Sequence, residues 1–174
     1  MNETIQTLKD RRSVRNFTDK PVDRELIEKI IDAGIWAPSG KGAQAPIVLA
    51  VTNRELRDRL SAMNAAVMGK EGFDPFYGGP VVLVVLADRS VPTYVYDGAL
   101  TMGNMMNAAA SLGVDSIWIH RAKEEFDSAE GKAILAEYGI EGDYEGIGHC
   151  VLGYAEKAPG AGAARKDGRV FWAE

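Results

Sequence analysis

A single cysteine, Cys150, stands in a chain of 174 residues. One thiol cannot close an internal disulfide, so a disulfide-stapled secreted scaffold is excluded and a reducing, cytoplasmic setting is expected. Histidine is almost as scarce, with only His120 and His149. That leaves little from which to build a zinc site or a cysteine–histidine nucleophile pair. Long apolar runs are missing as well. The longest, Val81 to Ala87, falls far short of the ~20 residues that cross a bilayer. Met1-Asn2-Glu3 opens a polar stretch with no apolar signal segment, which argues against secretion. Excess positive charge is also absent. The net charge is −5, whereas proteins that track phosphate backbones are usually basic. Neither nucleic acid nor membrane is therefore expected as a partner.

The common motifs for demanding chemistry are missing in turn. A dinucleotide fingerprint needs G-x-G-x-x-G between a strand and a helix. Gly146-Ile-Gly148 opens a strand instead, and Gly160-Ala-Gly162 has no room behind it for a βαβ unit. No G-x-x-x-x-G-K-S/T, H-E-x-x-H, C-x-x-C or G-x-S-x-G occurs, which removes the P-loop, zinc-protease and nucleophile-elbow readings.

What is present is a globular mix, 46% hydrophobic and 26% charged, at a length typical of one domain. Residues 1–174 are read as one domain. Hydrophobic spacing predicts a short helix over 3–11 and a second from an Asp23 cap through Trp36, with Leu26, Ile27, Ile30 and Ile31 on one face. A strand follows over 47–52, then an Asn53-capped helix through Met68. Val81 to Leu86 reads as a strand buried on both faces. Tyr94 to Leu112 reads as a long helix crowded with small residues, hence central or at a subunit contact. Strands over 115–119 and 147–154 bracket a helix from Ser128 to Tyr138, and the tail over 169–172 is extended without a partner in its own chain. The irregular alternation argues for an α+β fold rather than a doubly wound sheet.

Three polar features remain. Arg11-Arg-Ser-Val-Arg15 gathers three guanidinium groups and a hydroxyl in an acidic chain. In an extended segment Arg11, Ser13 and Arg15 project to one side and can grip a phosphate. Read alone, the same residues fit a solvated patch at a helix end. Ala37-Pro-Ser-Gly-Lys-Gly-Ala-Gln44 ends a helix in a loop of small residues that can bring backbone donors to a ligand, or simply connect two elements. Arg165 and Lys166 follow a glycine-alanine stretch and add two more cations, or a solvated tail.

In this order and spacing, the pieces resemble the nitroreductase family of flavin mononucleotide (FMN) enzymes. Arg11 to Phe17 resembles the family's R-R-S-x-R-x-[FY] opening, and Ala37-Pro-Ser39 its A-P-S-x-x-N-x-Q segment. Tyr77-Gly-Gly-Pro80 is similar to Y-G-A-P, Gly98 to Val114 to its long central helix, and Gly148 to Gly153 with the basic tail completes the match. The resemblance implies a three-layer α+β sandwich with a mainly antiparallel central sheet flanked by helices. It further implies an intertwined homodimer with flavin sites in the interface, the tail over about 159–174 reaching the partner. Arg11, Arg12 and Ser13 would hold the flavin phosphate and ribityl chain, with Arg165 and Lys166 adding charge there. Arg15 would sit beside the N1/O2 edge of the ring, stabilising the negative charge of reduced flavin. Pro38, Ser39 and Gly40 would reach the flavin from the neighbouring subunit. Trp118, Ile119, His120 and Arg121 would end a strand over the ring, an amide of His120 or Arg121 meeting N5. Gly42 replaces the family's Asn, a loss for which Gln44 would compensate. No side chain acts as a catalytic nucleophile and no metal is implied.

The implied activity is hydride transfer from NADH or NADPH to flavin N5, then reduction of a nitroaromatic, quinone or similar acceptor in ping-pong fashion. Three other readings stay open at this point: a flavin-binding carrier or sensor without turnover, a specialised member such as a flavin-dependent dehalogenase, and a cofactor-free interaction module. No 2′-phosphate pocket is legible to separate NADH from NADPH.

Overall fold

A computed structural model describes residues 2–174. Among the described residues, six α-helices and four strands alternate irregularly: α1 (Glu3–Asp10), α2 (Arg24–Ile35), β1 (Pro46–Val51), α3 (Arg54–Val67), β2 (Val81–Asp88), α4 (Tyr94–Ser111), β3 (Asp115–Ile119), α5 (Ala122–Asp127), α6 (Ala129–Glu137) and β4 (Tyr144–Gly153), with one 3-10 turn over Gly40–Gly42. The helix starts follow local capping chemistry. The Asn2 carbonyl accepts from Thr4 and Ile5 N–H, Asn53 from Leu56, and Ser128 from Gly131, each satisfying donors that a helix start leaves free. Asp23 occupies the cap position of α2 but makes no side-chain cap bond.

The strands form one sheet in the order β1-β2-β4-β3, every neighbour antiparallel. β2 explains the layering. Its alternate residues Val82, Val84 and Leu86 enter one core with side chains of α3, α5 and α6. Val81, Leu83, Val85 and Ala87 enter the other with α2 and α4. Two helical layers thus enclose one sheet, the α+β sandwich expected from the sequence. Each fully buried Val or Leu contributes about 1.5–3 kcal/mol, so β2 is the main staple between the layers.

α4 is central, as its small residues suggested, with Met102, Met105 and Ala109 fully buried. Gly98 lets it close on the sheet: a Cβ there would lie 2.6 Å from Ile147 Cγ1. Two differences from expectation stand out. β4 begins at Tyr144 rather than Ile147, because the ladder slips between Val85 and Leu86, which pair with Gly148 and Gly146. Ile147 is the extra residue of that bulge. A short helix, α5, also occupies the stretch after β3, where the sequence shows no helical periodicity. Among the described residues no helix is long and apolar enough to cross a membrane.

Candidate functional site

The arginine-rich segment meets the free edge of β3 at Ser13 and Val14. Ser13 bridges to Ser116 in parallel and Val14 N–H donates to Ser116 O at 3.2 Å. Further on, Phe17 N–H donates to Tyr77 O at 3.1 Å, Thr18 N–H to Tyr154 O at 2.8 Å, and Glu156 N–H to Asn16 O at 2.9 Å. The arginine-rich segment is therefore extended, as expected, and stapled between the first and last parts of the chain. Val14 is buried and its neighbours Ser13 and Arg15 are exposed. Arg11 is half-buried. Its Nη1 is buried and has no hydrogen-bond partner. Its charge reaches Cys150: burial pushes that thiol up to about 12, with Arg11 pulling the other way. Cys150 is thus a protonated core residue at neutral pH.

Arg11 and Arg12 line a cavity of about 360 Å³ together with Ser116, Gly113 and Pro159. The Ser116 hydroxyl is also buried without a partner. Buried polar groups are nearly always hydrogen-bonded, so two orphans on one cavity mark a place built for a polar ligand. Three carboxylates also line it: Asp10 accepts from Gln6 Nε2 at 2.7 Å and Asp115 from Ala155 N–H at 2.8 Å, and Glu3 is exposed at its edge. Arg12 folds back, its Nη1 donating to Lys9 O at 2.5 Å and Arg11 O at 2.9 Å. The tail passes over it, since a Cβ at Gly162 would lie 2.7 Å from its guanidinium carbon. Arginine and serine residues on one cavity wall, each with an unpartnered polar atom, suit an oxyanion such as phosphate.

β3 leads from this cavity to the loop at its far end. Trp118 lies half-buried over Gly148, where any Cβ would collide with the indole. Ile119 points into the core, His120 is exposed, and Arg121 adopts a left-handed conformation at φ 79°. A non-glycine residue in that region signals a conformation imposed by its surroundings.

The second polar piece sits apart. Pro38, Ser39, Gly42 and Gln44 line a different cavity, shared with Trp36 and with none of the residues around Arg11. Gly40 N–H donates to the buried Asp97 at 3.0 Å, and Gln44 N–H to Ser39 Oγ at 2.9 Å, so α4 holds this loop. Gly42 has φ 68° and open space around its Cβ position. That backbone conformation is one that Gly and Asn tolerate best. Gly42 serves the turn and offers no side chain to the cavity it lines.

Arg165 and Lys166 are not brought to Arg11 within the chain. They are exposed in the extended tail, beside a shallow cavity made only of tail residues. Sequence reasoning missed Asn64 and Glu125, two buried polar residues beneath the His120–Arg121 loop. A lone polar residue in a helix gives no periodic signal by which to find it.

The model of the Nitroreductase family matches residues 8–154. The chain is 30% identical over 139 residues to an FMN reductase [NAD(P)H] of Bacillus subtilis, covering 67% of this chain and 53% of that protein. It is 39% identical over 129 residues to an NADPH-flavin oxidoreductase of Vibrio harveyi, covering 68% of this chain and 54% of that one. It thus spans about half the length of these curated relatives. A crystal structure of a nitroreductase with bound FMN from Bacteroides fragilis superposes with a TM-score of 0.89 at 29% identity, covering 100% of both chains. The chain belongs to the nitroreductase family.

Proposed function

We propose that the chain is an FMN-dependent oxidoreductase that passes reducing equivalents from NADH or NADPH to nitroaromatic, quinone or similar acceptors. The observation that carries this reading is the pair of orphaned donors, Arg11 Nη1 and Ser116 Oγ, on one cavity beside β3. Arg11 and Arg12 hold the phosphate there, with Ser13 next along the edge. Arg15 places a cation further toward the ring, favouring the reduced, anionic form. The end of β3 presents a backbone N–H of His120 or Arg121 to N5, and Trp118 closes the side. When bound, FMN supplies the electron-carrying chemistry, which is why the chain needs no side-chain nucleophile. The protein's part is to fix the orientation in which a donor can approach.

The active unit in this reading is a homodimer of single domains, residues 1–174. The loop of Pro38, Ser39, Gly40 and Gln44 serves the partner's flavin, and the tail over 159–174 carries Arg165 and Lys166 across. The separation of the two cavities and the exposure of Trp36, Phe171 and Trp172 support this. The buried, unpaired Cys150 fits a cytoplasmic location.

The test is an absorbance spectrum of protein purified with excess FMN, followed by anaerobic titration with NADH and with NADPH. A flavin spectrum bleached by either donor and restored by an added quinone is the expected result. A yellow protein that neither donor bleaches would make it a flavin carrier, and a colourless one would end the reading.

A further inference from the structure

Three polar side chains lie in the core between the sheet and α3, framed by Phe76 and Phe126: Asn64 (0% exposed), Glu125 (1%) and His149 (0%). The function proposed above uses none of them. Burying such groups costs roughly 1–3 kcal/mol each when they go unpaired, so their arrangement calls for a cause.

Asn64 Nδ2 donates to His120 O at 2.7 Å and also to Glu125 Oε1. The second carboxylate oxygen lies 3.2 Å from His149 Nε2. That contact is off-line for a hydrogen bond, so His149 packs against the carboxylate. Glu125 also ties down the next peptide, its N–H donating to Arg121 O at 3.1 Å. Ile119, just before the loop, pairs with His149 across the ladder. Two successive carbonyls are therefore held, His120 O by the Asn64 side chain and Arg121 O by the Glu125 backbone, while the side chains of Glu125 and His149 back Asn64 from α5 and β4.

The direction of the intervening N–H follows. All peptide bonds here are trans, and in a trans unit the C=O and N–H point oppositely. With His120 O drawn into the core by Asn64, the Arg121 N–H points out of it, and no described residue accepts it. The left-handed Arg121 is a conformation that persists only where its surroundings impose it.

We propose that Asn64, Glu125 and His149 form a buried bracket whose task is to aim the Arg121 N–H into the flavin-ring site. Asn64 is its central positioning residue. The proposal rests on the FMN reading above. An N–H aimed at N5 stabilises the oxidised ring, whose N5 accepts, over the reduced ring, whose N5 carries a hydrogen. Releasing the bracket raises the potential of bound FMN.

The experiment compares wild type, Asn64→Leu and a control, Leu60→Ala, which removes buried volume one helical turn away in the same core. Two quantities are read: the 15N order parameter of Arg121 in FMN-free protein, and the midpoint potential of FMN-loaded protein by spectroelectrochemistry. Asn64→Leu is expected to lower the order parameter from about 0.85 toward 0.6 or below and to raise the potential. Leu60→Ala is expected to lose stability and change neither. Asn64→Ser, which is too short to span the gap, takes the place of Asn64→Leu if that variant does not fold. An unchanged order parameter, or a loosened loop with an unchanged potential, overturns the bracket. Wild type that takes up no FMN overturns the functional reading instead, a distinct outcome because the order-parameter arm contains no flavin.

Discussion

Arg11 is the residue on which the phosphate assignment turns. A charge-assisted bond contributes roughly 1.5–3 kcal/mol, so Arg11→Ala is expected to weaken FMN binding roughly 10- to 150-fold and to purify nearly colourless. Fluorescence titration of FMN measures this, and wild-type affinity in the variant would remove Arg11 from the site. Asp74 matters for a different reason. Burial pushes its carboxyl up, but donors from Arg57, Ser61 and the Gly78 N–H outweigh burial and hold it below its ordinary value. Its contribution to stability is therefore complete above the ordinary carboxylate range and lost as pH falls through its own lower pKa. Asp74→Asn is expected to cost about 2 kcal/mol at pH 7. That is less than the ~3–5 of a fully buried pair, because Arg57 is 4% exposed but Asp74 is 36%. The difference between variant and wild type should shrink in acid. Urea unfolding at pH 7 and pH 3 checks both statements.

At the scale of elements, the bulge in β4 and the start of α5 are mutually dependent. A Cβ at Gly146 would collide with the carbonyl of Ala122, so Gly146→Ala must push α5 away from the strand. Overpacking of this kind typically costs 1–3 kcal/mol, and a fall in the urea midpoint without loss of helix signal is expected. These two elements are also where reading the sequence ran short. β2, α3 and α4 were legible because their apolar positions run over many residues, and α3 also has its Asn53 cap. α5 is one and a half turns long and mostly charged, so no periodicity could announce it. Gly146 and Gly148 interrupt the apolar run of β4 and hide its first residues. The polar segment 11–15 was legible as a cluster. That Arg11 is half-buried while Ser13 and Arg15 are exposed depends on the sheet edge beneath them, which no local pattern encodes.

At the scale of the molecule, the loop over 37–44 and the cations of the tail line cavities that share no described residue with the one around Arg11. Association is expected to bring these cavities together. Light scattering after size exclusion should give twice the chain mass for wild type, and removal of residues 159–174 should weaken both the dimer and FMN retention. A stable wild-type monomer that binds FMN fully would contradict this.

The sheet order β1-β2-β4-β3 carries a consequence in time. β4 is the last strand in sequence, yet it is the interior strand that joins β2 to β3, and Thr18 bonds to Tyr154 across 136 positions. During synthesis, β3 and the arginine segment must wait without their platform until nearly the whole chain has left the ribosome. Contacts so distant in sequence close slowly, and ligand-binding competence should arrive with the last folding phase rather than build up gradually.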